Sequence, residues 1–295
     1  MSDVKKCIKS RFEDGYIMEA DFSQLEVVGA AALTGDPMMK KDILDGIDSH
    51  SQSASWLHPE HTYEEIRAGY LAEDEYFTKL RKKSKGPRFE LQYGAGAESI
   101  AENNGLTREQ AQGFIDQYYG RYSVLKEFQD MVIEEVKKSR RPSSHRTELG
   151  MPAGVGHYTN PTGRIFTFRE FDAPDFLRKR GQRTSFSPTQ CKNYPVQSFA
   201  TGDIVPMMLG HIYKLLMTDE KLRGKCLLIG TVHDSVVFDV HPDVLDYAAR
   251  TIKALMERTP EFVERYLCVP FDMPLNCDID VGKGAWYDMR SYKIE

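Results

Sequence analysis

The stretch Cys226 to Val240, CLLIGTVHDSVVFDV, limits the fold more than any other part of the chain, because apolar runs flank the polar triplet His233-Asp234-Ser235. Two strands meeting at a bend, with the His-Asp pair at its tip, fit that pattern. Tyr16 to Phe22 reads as another short strand that ends at Asp21, and Leu275 to Val281 as a final one. Between the first strand and the others the spacing is mainly helical. Ser23 to Leu33 is a helix rich in Ala and Val that stops near Gly35, Asp36 to Trp56 continues the pattern, Glu64 to Glu75 is mixed and acidic, and Tyr76 to Lys85 is a basic helix. Thr107 with Gln110 three residues on forms a capping box that opens a helix to about Tyr118, and a further helix covers Val124 to Lys138. Pro142 to Thr189, rich in Pro, Gly and Ser, is the most loop-like stretch, with one hairpin through His157-Tyr158 and Arg164 to Phe168 around Asn160-Pro161-Thr162-Gly163. Tyr194 to Met217 returns to helix, and Val244 to Arg258 is amphipathic. Strands at both ends around a helical insertion predict an α+β fold with one small antiparallel sheet, and not an alternating parallel sheet.

With 295 residues and 41% hydrophobic side chains, the chain can bury one large core or two ordinary ones. No apolar run is long enough to span a bilayer, and the N-terminal MSDVKKCIKSRFEDG lacks the apolar core of a signal peptide, so no membrane and a cytoplasmic location are expected. Cys7, Cys191, Cys226, Cys268 and Cys277 are scattered without a C-x-x-C pair, which predicts reduced thiols and neither a zinc site nor a disulfide framework. The formal net charge of -5 counts against a surface basic throughout. Basic residues nevertheless concentrate in Lys79 to Arg88, Lys137 to Arg141 and Arg178 to Arg183, each of which, taken alone, reads as a solvated face or loop.

Asp21 and Asp234 each lie at a strand end or bend, where neighbouring strands can bring both carboxylates to one sheet edge. Taken singly, either is an ordinary turn or capping residue. Together they are two hard oxygen donors, the set that suits Mg²⁺ held by one or two carboxylates, substrate phosphates and water.

The linear order of several motifs adds to this. Asp21-Phe22-Ser23-Gln24-Leu25-Glu26 resembles motif A, D-Y-S-Q-I-E, of family A DNA polymerases, and Arg81-x3-Lys85-x3-Phe89-x3-Tyr93-Gly94 resembles their fingers-helix motif B. His233-Asp234 resembles motif C, Asn193-Tyr194-Pro195-Val196-Gln197 the helix that touches template and primer, and Asp280 to Gly284 with Trp286 the family's ending. The resemblance covers nearly the whole chain. It implies a right-hand polymerase fold lacking the thumb: palm at 1–40, fingers at 41–205 and palm again at 206–295. It further implies a DNA-templated DNA polymerase acting on primer-template DNA and a dNTP, with two Mg²⁺ ions on Asp21 and Asp234. Arg81, Lys85 and His50 would meet the triphosphate, Lys85 as a catalytic group; Phe89 and Tyr93 would stack on sugar and base. Glu26 would exclude a ribose 2′-hydroxyl, and Asn193, Gln197 and His233 would contact DNA. Phe89, lacking a hydroxyl, implies rejection of dideoxynucleotides.

Four departures qualify the resemblance. Ser235 stands where motif C usually has a third carboxylate; single-subunit phage RNA polymerases commonly show H-D-S there, though they carry a small residue in place of Glu26. Gly86-Pro87 is expected to kink or restart the fingers helix. Val28 and Thr189 replace arginines that the family often has. The chain begins a short way before motif A, with no recognisable thumb or exonuclease, so a split bacteriophage polymerase is expected, with a second chain supplying the thumb, with or without a 3′-5′ exonuclease. Two alternatives remain: a single-subunit RNA polymerase-like or primase-like enzyme, favoured by Ser235 and opposed by Glu26, and a catalytically silent DNA-binding or assembly subunit, favoured by Ser235 and Pro87 and opposed by Asp21, Lys85 and Asp234.

Overall fold

A strand close to the N-terminus takes its partners from the last third of the chain. The computed structural model describes residues 4–287 and 289–294. From the start it runs through α1 (Val4–Cys7), β1 (Tyr16–Phe22), α2 (Leu25–Thr34), α3 (Pro37–Leu44), α4 (Ser49–Leu57), α5 (Tyr63–Leu71), α6 (Glu75–Gln92), α7 (Ala97–Asn104), α8 (Arg108–Arg121) and α9 (Ser123–Lys138). There follow β2 (Arg141–Arg146), β3 (Pro152–Thr159), β4 (Ile165–Asp172), α10 (Asp175–Arg178), β5 (Thr184–Phe186), α11 (Pro188–Gln197), a π-helical segment (Ser198–Ile204) and α12 (Val205–Thr218). The chain closes with β6 (Cys226–Val232), β7 (Ser235–Val240), α13 (Leu245–Met256), α14 (Thr259–Leu267), β8 (Cys277–Lys283) and β9 (Arg290–Ser291). It divides into two units, Met1–Ala32 with Gln197–Glu295, and Leu33–Val196. These limits differ from the expected 40 and 205. Asp36 caps α3 while its Oδ2 accepts from the Leu125 N–H at 3.0 Å, which ties the residues after α2 to the helical insertion.

The first unit is built on a five-stranded antiparallel sheet in the order β6-β7-β1-β8-β9. Strand alternation sorts its side chains. Met18, Ala20 and Phe22 lie on the face that carries Phe238 and Ile279, and α13 packs on β1 and β8 with Ala248, Ile252 and Met256 buried. Burying each large side chain contributes about 1.5–3 kcal/mol. The opposite face has only a small apolar cluster of Ile17, Val237 and Trp286, and is otherwise acidic.

In the second unit, Trp56 of α4 meets Phe114, Tyr118 and Tyr122 at ring distances of 6.1–6.2 Å. The expected capping box is present: Thr107 Oγ1 accepts from Gln110 N–H at 3.2 Å, and Gln110 Oε1 accepts from Thr107 N–H at 2.9 Å. Two expectations are corrected here. The stretch 142–189 is not a loop with one hairpin but contributes to a four-stranded antiparallel sheet, β2-β3-β4-β5, whose inner face packs Tyr158 and Phe168 on Val132 and Val136 of α9. Its glycines are packing residues: a Cβ on Gly156 would stand 2.2 Å from the Val136 carbonyl. Nor does Pro87 kink or restart the helix around it, since α6 runs unbroken for 18 residues. The proline forfeits one backbone hydrogen bond, about 3 kcal/mol in all, while α6 buries Leu80, Ser84, Pro87, Arg88 and Leu91.

Among the described residues no helix is long and apolar enough to cross a membrane. The five cysteines are free thiols, and burial pushes Cys226 and Cys277 up to about 12.

Candidate functional site: a carboxylate edge and a cationic helix

The first unit brings Asp21 next to the β6–β7 turn. Asp21 is the Cα partner of Ser235 on one side and of Asp278 on the other, so these three side chains share a face. Asp234 lies in the two-residue turn beside Ser235, and His233 before it adopts φ +56°, a left-handed conformation that such turns normally give to glycine. The turn thereby presents an exposed His233 and a half-buried Asp234 at the edge where Asp21 emerges.

Like charges crowd this edge. Burial, then Asp234, Glu19, Asp278 and Asp280, raise the Asp21 carboxyl to about 6, and burial also raises Asp234. Mutual repulsion of this kind is relieved by a cation, so the donor set fits Mg²⁺. Among the described residues no group of three or more His, Cys, Asp or Glu forms a protein-only metal cage; Asp21 and Asp234 are an open set that phosphate oxygens and water would have to complete around an ion.

Glu19, two residues before Asp21, is fixed from both sides. Ser235 Oγ donates to its Oε1 at 2.7 Å, and Trp286 Nε1 donates to its Oε2 at 2.7 Å, with Lys5 Nζ at 3.6 Å. Ser235 thus meets a carboxylate carried by the neighbouring strand. Asp278 accepts from Ser23 Oγ at 2.8 Å. Beyond Ser23, Gln24 turns at φ +57° and its carbonyl accepts from Val27 and Val28, starting α2 with Glu26 half-buried in the first turn.

The second unit carries the cations. On α6, Arg81, Lys85 and Phe89 follow at four-residue spacing and share a face. Lys85 and Phe89 are exposed, Phe89 by 43%. Arg81 is engaged: its Nε and Nη2 donate to Asp48 at 2.7 and 2.9 Å, and its guanidinium lies 4.2 Å from the Tyr70 ring centre. Asp48 caps α4 through Ser51, and His50 sits on that first turn with its ring 5.8 Å from Phe89. The buried His50 Nδ1 lacks a hydrogen-bond partner, and burial, reinforced by Arg88, Lys85 and Arg81, lowers the imidazole to about 4, so it is neutral at pH 7. Tyr93 closes α6, and Gly94 follows at φ +83°, where a Cβ would lie 3.0 Å from the Thr189 backbone. Asn193 and Gln197 are one turn apart on α11.

The sequence profile of DNA polymerase family A matches residues 1–288. The chain belongs to DNA polymerase family A. It is 23% identical over 277 residues to DNA polymerase I of Geobacillus stearothermophilus, 24% over 278 to that of Bacillus subtilis, and 24% over 285 to the thermostable DNA polymerase I of Thermus filiformis. Each match takes in 94% of this chain but only 26–28% of the relative, so the chain spans about a quarter of their length. Among solved structures, the POL domain of Pol1 from M. smegmatis in complex with DNA primer-template and dNTP has the same fold, with a TM-score of 0.63 at 20% identity, over 95% of this chain and 41% of that one.

In this family A chain the residues that motif reading missed are Glu19, Asp278 and the Asp48–Arg81 pair. Glu19-x-Asp21 and Asp278-x-Asp280 show period-two acidic alternation in strand-like segments. That signal was present, because a strand places alternate residues on one face. Nothing in the sequence links Arg81 to Asp48, 33 positions away.

Proposed function

We propose that this chain is a DNA-templated DNA polymerase subunit that adds deoxynucleotides to a primer 3′-hydroxyl. The observation that supports it most directly is the acidic sheet edge where Asp21 stands beside the turn carrying Asp234. Those two carboxylates would hold two Mg²⁺ ions, which when bound supply a more acidic primer hydroxyl and neutralise the leaving pyrophosphate. Phosphoryl transfer asks the protein mainly for in-line positioning and charge stabilisation. Lys85, exposed on α6, would contribute positive charge to the triphosphate, and neutral His50 a hydrogen bond. Arg81, committed to Asp48, would act by fixing the first turn of α4 and so His50. Phe89 and Tyr93 would pack against the nucleotide, and Asn193, Gln197 and His233 would contact the primer-template.

Primer extension with Mg²⁺ and either dNTPs or NTPs separates DNA synthesis from RNA synthesis, and no extension in the presence of candidate partner chains leaves the silent-subunit reading. The sugar test is sharper at Glu26, whose carboxylate would overpack against a 2′-hydroxyl. An overpacked contact costs about 1–3 kcal/mol, or about 5- to 150-fold in rate. Glu26→Ala is therefore expected to raise ribonucleotide incorporation by about that factor in single-nucleotide extension. Unchanged sugar discrimination removes Glu26 from that role.

A further inference from the structure

The four-stranded sheet of the second unit has one face packed on α9 and the other in solvent. The register puts Arg141, Val155 and Arg169 on the outer face, followed by Phe171 and its partner Ser185. Arg141 and Arg169 are exposed, and Phe171 is 47% exposed on the same solvent-facing side. At the β5 edge of the sheet opens a hollow of about 390 Å³, walled by Phe171 of the outer face, Phe186 of the inner face and Pro174, and edged by Ser185, Ser187, Pro188 and Gln190. That volume lies within the roughly 300–1,000 Å³ of ligand sites. Asp172 also lines it, but its carboxylate accepts from Thr147 Oγ1 at 2.5 Å and from Leu149 N–H at 3.0 Å. The loop joining β4 to β5 exposes Lys179, Arg180 and Arg183.

From this combination we infer that the outer sheet face binds single-stranded nucleic acid, with one base against Phe171 in the hollow and the phosphates along Arg141, Arg169 and the loop. Charge selects the partner. Residues 141–186 contain twice as many Lys and Arg as Asp and Glu in a chain whose net charge is -5, and Glu170, one of those acids, is turned inward onto Arg140 at 2.7 and 2.8 Å. A polyanion is drawn there, and the aromatic hollow distinguishes one with splayed bases from one without, because every base offers a π-face to a ring. Duplex DNA keeps its bases stacked and cannot fill the hollow.

This inference stands apart from the polymerase reading. The test is fluorescence anisotropy of the full chain with labelled oligo(dT) of about 16 nucleotides, beside a duplex of equal length and inorganic polyphosphate as competitor. Phe171→Ala is expected to weaken oligo(dT) binding about 5- to 150-fold, the equivalent of about 1–3 kcal/mol for one stacked base, and to leave duplex binding and the melting temperature unchanged. Arg141→Gln with Arg169→Gln is expected to lower the salt slope by about 1.4, two phosphate contacts at about 0.7 each. Affinity within twofold of wild type for Phe171→Ala overturns the inference, as does equal loss of duplex binding. Polyphosphate competing as well as oligo(dT), with no effect of Phe171→Ala, reduces the face to a bare anion patch and overturns it too. Active primer extension with Phe171-independent oligo(dT) binding defeats this inference alone; Phe171-dependent binding without any extension defeats the polymerase reading alone.

Discussion

Asp234→Asn is expected to lower single-turnover primer extension about 10³-fold or more while raising the melting temperature of the metal-free protein. The loss follows from the charge stabilisation, several kcal/mol, that a divalent ion gives in phosphoryl transfer, each 1.36 kcal/mol being tenfold in rate. The gain in stability has the opposite origin. Asp234 is among the charges that raise Asp21 to about 6, behind burial and ahead of Glu19, Asp278 and Asp280, so neutralising it removes repulsion that the folded state bears. The same crowding sets a pH signature. A free aspartate ionises near pH 4, whereas folded Asp21 keeps its proton to about pH 6. Between those values the folded state binds more protons than the unfolded one, and metal-free stability therefore falls as pH rises across that window. Mg²⁺ held there as proposed would compete with protons for the same oxygens, so the concentration needed for half-maximal activity is expected to climb as pH drops below about 6. Melting curves at several pH values with and without Mg²⁺ check this, since a ligand that binds only the folded state raises its stability by mass action. A variant that extends primers at near the wild-type rate, or a wild type whose melting point ignores Mg²⁺, would remove the ions from this edge.

How far the site could be read from sequence depended on whether its geometry is local. Asp21 and Asp234 were legible because apolar runs beside them mark a strand end and a hairpin turn, and α6 displayed Arg81, Lys85 and Phe89 through simple helical spacing. Asp278 was not, because its place opposite Asp21 follows from strand register: Ser23 and Asp278, which hydrogen-bond there, are 255 residues apart. The sheet of residues 141–186 was hidden by its own packing. Gly154 and Gly156 look like turn residues, yet they let β3 approach α9 and the Arg140 side chain, while Glu170 ties the strands by accepting from the Gly154 N–H at 2.6 Å and from Thr184 Oγ1 at 3.1 Å. Pro87 misled for the converse reason, since a local penalty was outweighed by burial along α6 that only tertiary structure reveals.

The largest expected loss of stability lies at Asp48, a residue whose role is structural before it is functional. Its carboxylate accepts two hydrogen bonds from Arg81 and one from Ser51 N–H at 3.0 Å, also bonds the Ser51 hydroxyl, and has Arg67 at 3.8 Å. Burial opposes its ionisation, but the bonds from Arg81 and Ser51 outweigh that and hold the carboxyl well below the usual carboxylate range. Removing one partner of a buried ion pair costs about 3–5 kcal/mol. The pair is screened in part by solvent, which brings the cost down to about 2 kcal/mol, and loss of the helix cap adds about 1 kcal/mol. At roughly 2–4 °C per kcal/mol for a chain of this size class, Asp48→Ala is expected to melt about 6–12 °C lower. Asp48→Asn, which can still cap α4, should lose less, and Asp48→Ala combined with Arg81→Met should recover part of the loss, because the stranded cation is then gone as well. The depressed carboxyl fixes the sign of the acid response: its contribution is complete above about pH 4 and is lost as pH falls further, so the difference between wild type and Asp48→Ala should shrink in acid. His50 stands on the turn that Asp48 caps, so the variant should also bind nucleotide more weakly, seen as a higher KM for dNTP with a smaller change in kcat. A melting point within about 1 °C of wild type, less than the shift from 1 kcal/mol, would mean that Arg81 finds other partners and that α4 does not depend on this cap.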